Sequence, residues 1–215
     1  YDKAMTEMQQ ATAMKPDEGI LWIALGDAQL GSADKAAKAA GTSPTDPAIQ
    51  QKYADAATSY KKAVDLNAAS KKPVADVSGV AYSQLGQAYA KQGNAKEAAD
   101  AYDQAAKALP ASAASYYYNE AVTLYKAQKM PEAAAAADKA IAADPKKPEP
   151  YYIKVEALAP GITTVGGKYV SPPGLADAAN NYLELAPTGP YAGEMKGLLT
   201  ELGEKIQSGY KAPKK

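Results

Sequence analysis

The stretch that comes nearest to a chemical motif is Gly161-Ile162-Thr163-Thr164-Val165-Gly166-Gly167-Lys168. A phosphate-cradling loop needs two glycines with four residues between them, then Lys, then Ser or Thr opening a helix, so that backbone amides and an ammonium meet the phosphates. Here the Lys falls one residue late, Tyr169 stands where the hydroxyl belongs, and no helical pattern follows at once. Two β-branched runs flanking Gly-Gly read instead as a hairpin with a tight turn. The chain has no His and no Cys, so the commonest general base and the soft metal ligand and nucleophile are both missing. No catalytic, cofactor-binding or metal-ligating residue is assigned, and the reading is of a protein that is not an enzyme and holds no cofactor. The hydroxyls of Thr42, Ser43 and Thr45, in a Gly-Thr-Ser-Pro-Thr stretch, are candidate acceptors for O-linked sugars. None of Asn67, Asn94, Asn119, Asn180 or Asn181 begins an Asn-x-Ser/Thr acceptor.

Charge and length narrow the classes further. Lys supplies all 24 cations against 24 acidic residues, for a net charge of zero over 215 residues. Nucleic acid is therefore an unsuited partner, because neutralising phosphates needs a basic face. No apolar run approaches the ~20 residues of a membrane span. The aromatic payload is carried by 16 Tyr and one Trp with no Phe. With no Cys the redox compartment cannot be read from disulfides.

The elements that must position these side chains show most clearly from Gly79 to Pro110, two amphipathic helical patterns meeting at Gly93-Asn94. Counting Gly79 as position 1, Tyr82, Leu85, Gly86 and Tyr89 fall at 4, 7, 8 and 11, and Ala98, Tyr102, Ala105 and Pro110 at 20, 24, 27 and 32. Small residues at 8 and 20 let two helices approach, large ones at 4, 11 and 24 fill the gap, and Pro110 stops the second helix. This spacing resembles the tetratricopeptide repeat of about 34 residues. The resemblance implies an all-α, right-handed α-solenoid of helix-turn-helix repeats, here with one short β-hairpin near residues 162–170.

Residues 1–17 read as half a repeat, with Ala4, Met8, Ala11 and Pro16 at second-helix positions, so the chain is expected to start in mid-repeat. A repeat with an insertion follows over 19–68: Trp22, Leu25 and Gly26 open it, and Ala56, Tyr60 and Ala63 close it about 18 residues late. Regular repeats occupy 79–112 and 114–147. In the latter Glu120 replaces the expected Leu at position 7, which predicts a less tightly locked helix pair. Residues 148–190 form a repeat with the hairpin insertion, and 191–208 a capping helix. The hairpin followed by Asn180-Asn181-Tyr182 and a closing helix is similar to secreted or envelope-associated bacterial tetratricopeptide proteins. That similarity implies an extracytoplasmic location and no catalytic residue.

Two interaction surfaces follow. The family's peptide groove is lined by first helices, and its positions carry Ser83, Gln87 and Lys91 in one repeat, Tyr118, Val122, Tyr125 and Lys126 in the next, then Tyr152. The Lys/Asn/Arg clamp that some members close on a terminal carboxylate is absent, since position 5 reads Ile23, Ser83 and Tyr118, and position 9 Asp27, Gln87 and Val122. Tyr118, Tyr125 and Tyr152 form either an aromatic contact strip or packing between neighbouring repeats. The second surface is an assembly seam. An uncovered half-repeat exposes Ala4, Met5, Met8 and Ala11, which would dock on Met195, Leu199 and Leu202 of a neighbour's closing helix, giving a head-to-tail homo-oligomer that extends as a filament. The functional expectation is a structural protein that mediates protein–protein contacts and self-assembles, with a monomeric adaptor binding a protein partner in the groove as the alternative.

Overall fold

Alanine-rich amphipathic runs punctuated by Pro and Gly fold, in a computed structural model describing residues 1–39 and 45–206, as consecutive helices. They are α1 (Asp2–Met14), α2 (Gly19–Ala37), α3 (Pro47–Ala69), α4 (Ala75–Lys91), α5 (Ala95–Ala108), α6 (Ala113–Lys126), α7 (Met130–Ala143), α8 (Glu149–Leu158), α9 (Leu175–Leu185) and α10 (Ala192–Glu201). Strands β1 (Thr163–Val165) and β2 (Lys168–Val170) pair antiparallel, with Thr163 opposite Val170 and Val165 opposite Lys168. Gly166 and Gly167 make the hairpin turn at φ +58° and +78°, the left-handed pair of values that a two-residue turn demands. The Gly-Gly-Lys stretch is thus a hairpin turn. Thr42 and Ser43 lie outside the described residues, as do Gln207 and the tail from Lys211 to Lys215. The fold class is the all-α tetratricopeptide type with a short hairpin.

The chain divides into two compact units, Tyr1–Tyr116 and Tyr117–Lys215. In the first, α1 packs on α2, α2 on α3, α3 on α4 and α4 on α5. The insertion after Gly31 is absorbed into length: α2 runs 19 residues and α3 23. Pro47 opens α3, and the Asp46 carboxylate accepts from the Ala48 amide at 2.8 Å, satisfying a donor that no helical carbonyl can reach. The second insertion is pinned by one buried amide. Asn67 donates to the Val74 carbonyl at 2.8 Å and to Ser78 Oγ at 2.7 Å, and accepts from the Val74 amide at 3.0 Å.

Two helix crossings in this unit, α2 with α3 and α4 with α5, are a ring laid where a side chain is missing. Tyr60, fully buried on α3, covers Gly26 of α2, and a Cβ there would stand 2.5 Å from the ring. Tyr102 on α5 covers Gly86 of α4 in the same manner, with 3.0 Å to the nearest ring atom. These are positions 8 and 24 of two repeats. The core around them joins Ile23, Leu30, Tyr53, Ala56, Leu85 and Ala88 with further small residues.

In the second unit α7 packs on α8, α8 on α9 and α9 on α10. Its core gathers Tyr151, Val155, Leu175, Tyr182, Leu183, Met195 and Leu199. The turn between α6 and α7 repeats that between α4 and α5. Gly93 (φ +80°) and Gln128 (φ +60°) occupy the same repeat position, and the amides after them, Asn94 and Lys129, each reach back 2.9 Å to the carbonyls of Tyr89 and Leu124. Glu120 is buried in α6, and Lys139 of α7 reaches it at 3.2 Å with its ammonium 5.1 Å from the Tyr117 ring centroid. An ion pair and a cation–π contact stand where a Leu is expected.

The ring-on-glycine crossings predict a difference between two otherwise similar substitutions. Gly26→Ala should destabilise by roughly 1–3 kcal/mol, because Tyr60 has nowhere to go and overpacking is not relieved. Gly86→Ala should fall within about 1 kcal/mol of the parent, since a few tenths of an ångström of give suffices and Ala is about 1 kcal/mol the better helix former. Urea denaturation checks both, and equal losses would show that the ring contact does not set the crossing.

Candidate interaction faces

The first helices of the repeats in unit 1 are tied together by a polar ladder. Asp27 and Asp34 stand seven residues, two turns, apart on α2. Asp27 accepts from the Tyr60 hydroxyl at 2.8 Å and from Gln84 Nε2 at 2.9 Å. Asp34 accepts from the Tyr53 hydroxyl at 2.9 Å and from Lys91 Nζ at 2.9 Å. Tyr53 and Tyr60 are themselves seven apart on α3, and Gln84 and Lys91 seven apart on α4. Each carboxylate therefore collects one donor from the second helix of its own repeat and one from the first helix of the next. Burial, then the hydrogen bond and charge of Asp34, push the Tyr53 hydroxyl up to about 12, and burial with Asp27 pushes Tyr60 higher still. Both phenols stay protonated donors.

The corresponding face of unit 2 is built from tyrosines and carboxylates. Tyr152 on α8 stacks on Tyr191, which precedes α10, with ring centroids 3.6 Å apart and planes 8° from parallel. Tyr182 of α9 meets both rings at a tilt, 6.4 Å from Tyr152 and 6.1 Å from Tyr191. The Tyr182 hydroxyl accepts from the Tyr191 amide at 3.2 Å, holding the start of α10 in place. Tyr125 of α6 donates its hydroxyl to Glu156 Oε2 at 2.9 Å. The carboxyl of Glu194 on α10 is pushed up by partial desolvation and by the neighbouring Glu156. Burial, together with Glu156 and Glu194, pushes the Tyr152 hydroxyl well up. Burial and Glu149 do the same to Tyr118.

The groove residues expected from the sequence divide between these two faces. Ser83 and Gln87 are half-buried on α4, while the ammonium of Lys91 is already held by Asp34. Tyr118, Val122 and Tyr125 are half-buried and Lys126 exposed on α6, and Tyr152 is half-buried on α8 in the stack. Glu156, Glu194 and Tyr191 are additions. Glu156 occupies groove position 9 of its repeat, a legible signal, whereas Tyr191 and Glu194 lie outside the repeats and arrive only through the packing of α10. The seam residues part company. Ala4 is exposed, and Met5, Met8 and Ala11 are half-covered on the helix that packs against α2. On α10, Met195 and Leu199 are fully buried in the core of unit 2 and Leu202 is half-buried. Those two side chains are packed on Tyr151, Tyr182 and Leu183 of their own unit rather than facing a neighbour, because α10 turns its apolar side onto α9.

Residues 83–148 match the family model described as tetratricopeptide repeat. No curated protein matches the sequence. Among solved structures, a crystal structure of MamA is 20% identical over 93% of this chain and 90% of that one, with a TM-score of 0.59. A second MamA crystal structure is 19% identical over 86% and 82%, at 0.60. The MamA RS-1 ArsTM double mutant is 15% identical over 87% and 85%, at 0.59. At these identities the likeness is one of fold.

The Glu156–Glu194 contact has a signature in pH. With the Glu194 carboxyl raised above its unfolded value, the ionised pair opposes folding above the ordinary carboxylate range, and the penalty fades as pH falls through the raised value and below. Glu194→Gln should therefore melt higher than the parent at neutral pH, with the gap closing in acid. Thermal melts across that range check this; a variant that melts lower at neutral pH would show the carboxylate to be stabilising.

Proposed function

The chain carries tetratricopeptide repeats over residues 83–148, and on that premise we propose that it is a non-enzymatic scaffold whose partner is a protein segment lying along Tyr118, Val122, Tyr125 and Tyr152. Repeats of this kind are protein-interaction modules. The observation that carries the reading is the stacked Tyr152–Tyr191 pair, on the same unit as the half-buried Tyr118 and Tyr125, with Tyr191 itself 37% exposed. Tyrosine offers a large rigid contact area with few torsions to freeze. The polar ladder of unit 1 takes up the same helix face with internal bonds, which turns attention to unit 2. The proposal extends to an extracytoplasmic, bacterial setting, on the strength of the hairpin-and-closing-helix resemblance, and to O-linked sugar on Thr45 and its neighbours.

Peptides selected from a random display library on the intact chain should bind it and lose at least tenfold in affinity to the Tyr118→Ala, Tyr125→Ala double variant with helicity unchanged by circular dichroism. Selected peptides that bind the folded double variant as tightly as the parent would remove these tyrosines from the site.

A second reading, self-assembly into head-to-tail filaments, is favoured by exposed apolar side chains on α1 and at the start of α2. Met14 is 83% exposed and Ile20, just inside α2, 58%, alongside the exposed Ala4. Zero net charge offers little repulsion between copies. Met14→Lys places a charge at the most exposed of these side chains at small cost to the fold. Sedimentation at high concentration should show an assembled parent and a dissociated variant, and a monomeric parent would exclude this contact.

A further inference from the structure

In unit 1, α1 and α3 both pack on α2, and a cavity of about 230 Å³ lies among the three helices. It is lined by Met5 and Gln9 of α1, Gln29 of α2, and Lys52 and Asp55 of α3. Met5, Gln29 and Lys52 are half-buried, while Gln9 and Asp55 are exposed, so the first three form the deeper wall and the last two the rim. Helical spacing explains the convergence. Met5 and Gln9 are four residues apart on α1, and Lys52, Asp55 and Ser59 follow one another at three and four on α3, so each set shares a helix face. Lys52 and Asp55 carry opposite charges into one cavity, yet they do not pair. Lys52 Nζ donates to the buried Ser32 Oγ at 3.2 Å, and Asp55 accepts from Gln51 Nε2 at 2.8 Å. Lys ahead of the acid is also the poorer order for a pair within one helix. Ser59, itself buried, donates to Gln29 Oε1 at 2.6 Å. That bond fixes the carboxamide and leaves its Nε2 hydrogens without a partner among the described residues.

We propose that this cavity binds a free α-amino acid, its carboxylate on the Lys52 ammonium and the Gln29 amide and its ammonium on the Asp55 carboxylate. The site lies in unit 1 and stands apart from the tyrosine face of unit 2. Size and charge select the class. The volume falls below the ~300–1,000 Å³ of sites for drug-sized ligands, which suits a small metabolite rather than a peptide segment or a nucleotide. A simple anion would be drawn to Lys52 but repelled by Asp55, and a simple cation the reverse. A zwitterion answers both charges at once, with charge-assisted hydrogen bonds at each end. A metal ion finds no ligand set, since no three His, Cys, Asp or Glu converge among the described residues. Met5, unbranched and polarisable, offers an adaptable wall to the amino acid's own side chain.

The test titrates the full chain with each standard free L-amino acid by isothermal calorimetry. At least one should bind saturably at millimolar concentration or below. Its N-acetyl and its carboxamide derivative, each short of one charge, should bind at least tenfold more weakly. Lys52→Gln and Asp55→Asn should each cost at least tenfold, with helicity and melting temperature confirming the fold. The control is Lys61→Gln with Asp65→Asn, two exposed positions on the same helix, which should leave the affinity within twofold. D-Glucose, a neutral polyol able to use the carboxamides alone, should not bind. No saturable binding by any amino acid, equal binding by the folded Lys52 and Asp55 variants, an equal loss in the control, or glucose bound in the amino acid's place would overturn the proposal. None of these outcomes touches the tyrosine face, which the display selection tests by itself.

Discussion

The packing of a tyrosine ring onto a helix that has no side chain at that point sets the geometry on which the rest of unit 1 depends. Tyr60 over Gly26 and Tyr102 over Gly86 each bring a first and a second helix closer than two ordinary side chains would allow. Close approach lets alanines such as Ala56, Ala63, Ala88 and Ala98 be fully buried, so that a core poor in large aliphatics is still dense. The same ring then sends its hydroxyl to Asp27 on the groove side. One residue thereby couples the dry interior of a repeat to its polar face, which Phe could not do.

Much of this was legible in the chain. The positions that make the crossing, 8 and 24, carry their constraint in residue type: glycine lies where the ring packs in these two repeats. The hairpin was equally readable, because Gly166-Gly167 between β-branched residues admits few backbones. What escaped were features made by tertiary packing of side chains whose types are ambiguous. Glu120 reads as a defect at an apolar position until Lys139 and Tyr117 are seen to meet it. The apolar stripe of α10 reads equally well as a cap for its own unit or as a surface for another chain, and only its burial against α9 decides. Tyr191 and Glu194 carry no periodic signal, so their place in the unit 2 face could not be inferred from repeat numbering.

The two groove faces differ in how their carboxylates are treated. In unit 1 each Asp is balanced by neutral or cationic donors from two helices, and the face is closed upon itself. In unit 2 Glu156 and Glu194 are left facing each other with phenols around them, an arrangement with more acceptors than donors. A folded chain tolerates such an imbalance where it is small compared with the stability of the unit. It is also the kind of local inconsistency expected where a surface serves something other than folding.

The seven-residue spacing of the unit 1 ladder has a geometric corollary. Two rungs set two turns apart, about 10.5 Å along the axis, work as a vernier between α2 and α4. Sliding one helix past the other by a single turn mates neither rung. Sliding by two turns mates one, but it either sets Gln84 on Asp34 and strands the Lys91 ammonium, or sets Lys91 on Asp27 and leaves Asp34 with a phenol alone. Because one rung is amide and the other ammonium, the two ends of the scale are distinguishable, and a shifted alignment cannot imitate the native one. In a family of folds made of near-identical hairpins, where misalignment between adjacent copies is the characteristic hazard, four side chains of two α-helices supply an absolute mark of where one repeat must sit upon the next.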